Sequence, residues 1–252
     1  MPTRDEPIYI RVEGEHILGT LISPGALSPG VLFVHGWGGD QRQYLARARA
    51  ITELGCVCLT FDLRGHAQTQ TQHETVSREE SLRDILAAYD FLAAQPNVDS
   101  DSIAVVGSSY GGYLAALLSN VRRVRWLALH VPALYLDDEW LLPKNQLNRD
   151  TLRAYRNSYV PPESNRALKA CADFGGDVLI VEAEHDTFIP HSTIMSYRSA
   201  FRRSHSLTHR ILDGADHALT EKSAQRAYTS ILVNWVTEMV TGARMGNPRP
   251  VP

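Results

Sequence analysis

Ser109 stands at the centre of Gly107-Ser108-Ser109-Tyr110-Gly111, a G-x-S-x-G run. A serine hydroxyl becomes a nucleophile when a base takes its proton and a sharp backbone turn exposes it. This motif provides the turn, because glycines two positions either side omit the Cβ atoms that would strike the adjoining helix and strand. Ser108 reads as no more than a small residue that fits a tight turn. The base must be a histidine on a downstream loop that reaches the serine. Of ten histidines, His217 directly follows the apolar run 206–212, whereas His209 lies inside that run and His205 ahead of it. His217 is the expected base. For the acid that fixes its imidazole, Asp177 to Pro190 offers Glu182 inside an apolar run, Glu184 at its edge and Asp186 beyond its end. Asp186 is the expected acid, with Glu184 next. A tetrahedral intermediate needs two N–H donors. Tyr110, next to the serine, presents one, and Trp37 in His35-Gly36-Trp37-Gly38-Gly39-Asp40 the other, its glycines letting the backbone turn towards the site.

Elements in a definite order must hold these groups. IYIRVEG and HILGTLISP predict an antiparallel pair. Six short runs rich in Val, Ile and Leu follow, starting near Val31, Cys56, Ser102, Val124, Asp177 and Ser206, and such continuous runs suit strands buried on both faces. Helical patterns lie between them: 43–54, 77–95, 110–120, 191–203 and about 221–240. The second opens on Ser77 with Glu80 three residues on, the spacing of a capping box. Strands alternating with helices predict an α/β fold with a mostly parallel eight-stranded sheet flanked by helices. SIAVV before Ser109 and YLAALLS after it give the motif its strand and helix. One irregular stretch, 132–176, interrupts the alternation at a strand's carboxyl end, where open α/β sheets bind ligands. It is expected to form a small lid, with Tyr135, Trp140 and Tyr155 as the tentative substrate wall; Tyr159 and Trp37 are further aromatic candidates.

Composition narrows the classes. The chain has 252 residues, 44% of them hydrophobic, and 25 Lys and Arg against 28 Asp and Glu. That suits a single domain over 1–241, lid included, with 242–252 as a disordered Pro- and Gly-rich tail. A net charge of −3 gives no footprint for nucleic acid or an anionic membrane, so a small molecule is the expected partner, with homodimerisation left open. Cys56, Cys58 and Cys171 are odd in number, two of them inside an apolar run, and read as reduced core residues. The amino terminus lacks a signal pattern and no apolar run spans a bilayer, so a cytoplasmic location is expected. Neither Asp62 with His66 nor His185 with Asp186 has a metal-ligand spacing, and no metal or cofactor is expected.

Together, His35-Gly36-Trp37-Gly38-Gly39, Asp62-Leu63-Arg64-Gly65-His66, Gly107 to Gly112, Asp186 with Ile189-Pro190, and His217 resemble the α/β-hydrolase superfamily, over nearly all of Ile8 to Val240. Within it the chain is similar to serine carboxylesterases near the cinnamoyl and feruloyl esterases and to serine members of the dienelactone hydrolase-like group. Dienelactone hydrolase proper has a cysteine nucleophile, and dehalogenases and epoxide hydrolases an aspartate; Ser109 departs from all of them. Proline-specific peptidases of similar order usually add a propeller, for which 252 residues leave no room. The usual Asp-x-Arg-Gly-His-Gly run ends here in Ala67. Asp62, Arg64 and His66 are expected to brace the oxyanion loop. The resemblance implies hydrolysis of a small or aromatic carboxylic ester through an acyl-enzyme. Amide, thioester or perhydrolase chemistry on the same residues stays open, as does a non-catalytic receptor of the same fold.

Overall fold

The computed structural model describes residues 4–24 and 27–244. Eight strands form one sheet: β1 (Arg4–Val12), β2 (Glu15–Ser23), β3 (Ser28–Val34), β4 (Val57–Phe61), β5 (Val98–Ser108), β6 (Trp126–His130), β7 (Asp177–Ala183) and β8 (Ser206–Leu212). Their order is β1-β2-β4-β3-β5-β6-β7-β8, with β2 antiparallel to both β1 and β4 and every pair from β4 to β8 parallel. The Val-, Ile- and Leu-rich runs explain the centre, since every residue of β3, β4, β6 and β7 is buried. By contrast β8 closes the sheet as a half-exposed edge.

The helices flanking the sheet are α1 (Arg42–Glu53), α2 (Arg78–Ala93), α3 (Tyr110–Leu118), α5 (Arg166–Asp173), α6 (His191–Ala200) and α7 (Lys222–Arg244), with α4 (Arg149–Asn157) between α3 and α5 in the chain. One face carries α1 packed on α7, and the other carries the series α2, α3, α5, α6. Ser77 caps α2 by accepting from the Glu80 N–H, while the Glu80 carboxylate accepts from the Ser77 N–H, so the capping box is formed. The chain leaves β3 for β4 on one side, then returns past β3 to β5 and continues the other way to β6. That reversal places the loops after β3 and β5 side by side at a topological switch point.

The stretch 132–176 differs from the expected irregular lid. It contains two helices, each opened by an asparagine whose side chain accepts from the first turn: Asn148 for α4, Asn165 for α5. α5 buries Ala167, Leu168, Ala170 and Cys171 and packs on α3, so it is the crossover between β6 and β7 and not a cover. α4 has no fully buried residue. Helix α7 runs to Arg244, past the point where the tail is expected; the rest of that tail lies outside the described residues. All three cysteines are buried, and none is in a disulfide.

Candidate active site

Ser109 joins β5 to α3 with φ +51°, a left-handed conformation that costs a non-glycine residue roughly 1–3 kcal/mol. The turn survives because its neighbours are small. A Cβ on Gly107 would lie 2.4 Å from the Gly111 carbonyl oxygen, and one on Gly111 would lie 2.3 Å from that of Val34 and 2.5 Å from that of His35. The Ser109 N–H donates to the His130 carbonyl (2.9 Å), tying the turn to β6.

His217 lies on the loop after β8, and its Nε2 is 3.0 Å from Ser109 Oγ while Nδ1 is 2.6 Å from Asp186 Oδ2. The other Asp186 oxygen accepts from the N–H groups of Phe188 (2.7 Å) and Ile189 (2.8 Å), so the turn after β7 fixes the carboxylate's orientation. An acceptor on Nδ1 places the imidazole proton there and leaves Nε2 free to take the serine's proton. The neighbouring acids have other partners. Glu184 accepts from the Gly214 N–H, and Glu182, buried within β7, binds His191 and His209.

Facing Ser109 is the loop after β3. A Cβ on Gly36 would be 3.3 Å from Ser109 Cβ, which shows how closely the backbone approaches the nucleophile. Neither the Trp37 N–H nor the Tyr110 N–H, the first of α3, has a hydrogen-bond partner among the described residues. Two histidines hold this loop. The Gly38 N–H donates to His66 Nε2 (3.1 Å) and the Leu63 N–H to His35 Nε2 (3.0 Å). Both rings must then carry their proton on Nδ1, which donates to the Arg64 carbonyl from His66 (3.2 Å) and to the Gly36 carbonyl from His35 (2.8 Å). Burial keeps them neutral, lowering each pKa to about 4. Asp62 accepts from the backbone and side-chain N–H groups of Gln41 at the loop's far end, and Arg64 pairs with buried Asp84 (2.8 Å). Ala67 takes φ +48°, the conformation that the glycine usual in this run adopts without strain.

His130, at the end of β6, has no role in the sequence reading. Its Nδ1 lies 2.8 Å from Ser108 Oγ, and burial lowers its pKa to about 3. A histidine closing a buried run beside the nucleophile's strand was the available signal. Ser108 is thus tied to His130 under the turn.

A cavity of ≈ 470 Å³ opens over Ser109 and His217, lined also by Trp37, Tyr44, Leu219 and Tyr228. A second, of ≈ 790 Å³, lies between α4 and the turn after β7, and Trp37 borders both. The three aromatics expected as a substrate wall line neither. Trp140 donates its Nε1–H to Glu79 and, with Tyr135, flanks the buried Arg78 guanidinium. Tyr135 packs edge-on against Tyr110 and Tyr113, and Tyr155 accepts at its hydroxyl from Asn165 Nδ2. Burying an arginine calls for flanking rings and acceptors, and that draws these side chains inward. Tyr159 is exposed and meets Ser199. Among the described residues no group of three or more His, Cys, Asp or Glu converges as metal ligands would, and no helix is long and apolar enough to cross a membrane.

Comparison with known proteins agrees with the architecture. The esterase Est1E of Butyrivibrio proteoclasticus, solved with ferulic acid, superposes with TM-score 0.69 at 18% identity over 93% of this chain and 98% of its own. A dienelactone hydrolase of Anabaena variabilis gives 0.67 at 18% identity, over 94% and 99%. Pyrococcus furiosus esterase Pf2001 gives 0.70 at 18%, over 94% of each. All show the α/β-hydrolase fold. In sequence, an uncharacterized Mycobacterium tuberculosis protein is 32% identical over 108 residues, 43% of this chain and 37% of that protein, so the match spans little more than a third of the curated relative. The model of the prolyl oligopeptidase family matches residues 42–243, from the start of α1 through the nucleophile turn and the loops bearing Asp186 and His217 to the end of α7, and the chain belongs to that family.

Proposed function

We propose that the chain is a serine hydrolase that cleaves carboxylic esters of small or aromatic acids through an acyl-enzyme. The supporting observation is the hydrogen-bonded row Ser109–His217–Asp186 opposite two N–H groups that have no partner among the described residues. Ser109 Oγ attacks the ester carbonyl as its proton passes to His217 Nε2, and Asp186 stabilises the imidazolium. The N–H groups of Trp37 and Tyr110 hold the oxyanion. Collapse expels the alcohol, which takes the proton from His217. Water activated by the same nitrogen then releases the acid. The ≈ 470 Å³ cavity over Ser109 suits a compact acyl group. Ser109→Ala is expected to abolish hydrolysis of p-nitrophenyl esters, and a fluorophosphonate to label Ser109 alone; labelling at Ser108 or an active alanine variant would refute the assignment. Family membership favours a second reading, cleavage of a peptide or other amide by the same residues. Matched p-nitrophenyl esters and p-nitroanilides separate the two by their kcat/KM ratio.

A further inference from the structure

Helix α4 turns a basic stripe towards the site. Arg149, Leu152, Arg153, Arg156 and Asn157 fall at i, i+3, i+4, i+7 and i+8, one face of the helix, and all five line the ≈ 790 Å³ cavity. Lys144 lines it too, its Nζ 4.5 Å from the Trp37 ring centre and within 6 Å of those of Tyr110 and Tyr135. Thus four cations surround one cavity in a chain whose net charge is −3.

A basic helix face is ordinarily solvated, and Arg149 and Arg153 are exposed. The inner end is different. The Arg156 guanidinium is fixed, donating from Nε to the Leu134 carbonyl (3.0 Å) and lying 4.8 Å from the Tyr135 ring centre. Burial among the rings lowers the Lys144 pKa, and the like charges of Arg156 and Arg149 act in the same direction. None of the four cations pairs with a carboxylate among the described residues. The acid that lines the cavity, Asp186, is occupied at both oxygens, by His217 and by the Phe188 and Ile189 N–H groups. Mutual repulsion without an internal counter-ion is what a site built for an anionic ligand retains. Trp37 forms the border with the reaction cavity.

We propose that the cavity beneath α4 is a specificity pocket for a carboxylate on the substrate, so that the ester carries an anionic half lodged among Lys144, Arg149, Arg153 and Arg156. This rests on the ester-hydrolase reading. Arg149 and Arg153, at the exposed rim, draw the anion in, and Lys144 and Arg156 receive it at the inner end.

Two series of esters test it. In one, mono-p-nitrophenyl esters of C4 to C8 dicarboxylic acids are compared with the p-nitrophenyl alkanoates of equal length, uncatalysed hydrolysis subtracted. In the other, 4-acetoxybenzoate is compared with phenyl acetate, which places the carboxylate on the leaving group. One series is expected to favour the anionic member by about tenfold or more in kcat/KM. That preference is expected to shrink in 0.5 M NaCl and to collapse in the Arg149→Gln/Arg153→Gln variant. Equal or better turnover of the neutral member in both series, or a preference that survives the double substitution, overturns the proposal. Adipate binding, followed as a saturable rise in Tm against adipamide, gives a readout independent of turnover. If no ester is cleaved and Ser109 resists the fluorophosphonate, the ester-hydrolase reading fails. The pocket then stands if adipate stabilises the wild type and not the double variant, and falls if it stabilises neither.

Discussion

Asp186 and Glu184 are two positions apart, yet they have different work. Asp186→Asn keeps an oxygen for the Phe188 and Ile189 N–H groups and turns an NH2 towards His217 Nδ1. The ring must then accept at Nδ1 and carry its proton on Nε2, where it can no longer take the one on Ser109. A fall in kcat of about 10⁴ is expected from such a tautomer error, against little change for Glu184→Gln, which keeps an oxygen for the Gly214 N–H on an exposed turn. Steady-state kinetics on p-nitrophenyl acetate decide between them, and exchanged effects would move the acid to Glu184. His66 acts one step further from substrate. His66→Ala removes the acceptor of the Gly38 N–H and frees the loop whose Trp37 N–H is proposed as an oxyanion donor. Losing an oxyanion donor outright costs about 10²–10³ in kcat, so a loosened one should cost about 10- to 100-fold in kcat with KM nearly unchanged. A rise in KM alone would show that the loop serves binding instead.

At the scale of elements, the nucleophile turn is where backbone meets backbone. Gly111→Ala drives a Cβ into the carbonyls that end β3, and these cannot yield without moving the loop that carries Trp37. Destabilisation of about 3 kcal/mol or more in urea unfolding is expected. Gly38→Ala is the contrast: open space surrounds it, so its φ of +80° sets a cost of about 1–2 kcal/mol. Equal effects would mean that the turn relaxes and the close approach is not a constraint. The same contrast explains which parts of the fold were legible. Ser109, Asp186 and His217 each sit just past an apolar run, and a parallel sheet brings all such loops to one edge. Their sequence positions therefore implied their meeting. α4 and α5 gave no such sign in the apolar pattern, since α4 buries nothing fully and α5 is eight residues long; Asn148 and Asn165 were the marks left. Trp140 and Tyr135 look like substrate contacts until Arg78, distant in sequence, is seen between them. Lys144 and the α4 arginines escaped for the same reason. Charges scattered over 144–156 read as solvent face until the turn after β7 closes the cavity opposite them.

For the whole molecule, three buried neutral histidines decide how stability responds to acid. His35 and His66 have pKa values lowered to about 4 and His130 to about 3, whereas in the unfolded chain each titrates near 6.5. Between those limits the unfolded state binds protons that the folded state refuses, so stability is full above pH ~6.5 and falls as the pH drops towards 4. Asp84 opposes this. Burial raises its pKa to about 6, so on acidification the folded state takes up a proton there before the unfolded state does, which favours folding. Asp62 and Asp137, also raised by burial, act with Asp84, whereas Asp40 and Asp216, lowered by hydrogen bonds from Arg42 and Thr220, act with the histidines; the histidine shifts are the larger, and acid is destabilising. The midpoint of urea unfolding should therefore be level from pH 8 to 7 and decline between pH 6.5 and 4, and His66→Gln should flatten that decline. Acid also acts on the site before the fold is lost. Protonating His66 Nε2 leaves the Gly38 N–H without its acceptor, and protonating His35 does the same to Leu63, so the oxyanion loop should loosen ahead of the sheet. Amide exchange near pH 4.5 would show it as protection lost at Gly38 and Leu63 while β3 and β5 stay protected. Simultaneous loss throughout would mean that the histidines stabilise the molecule as a unit and have no separate hold on the site.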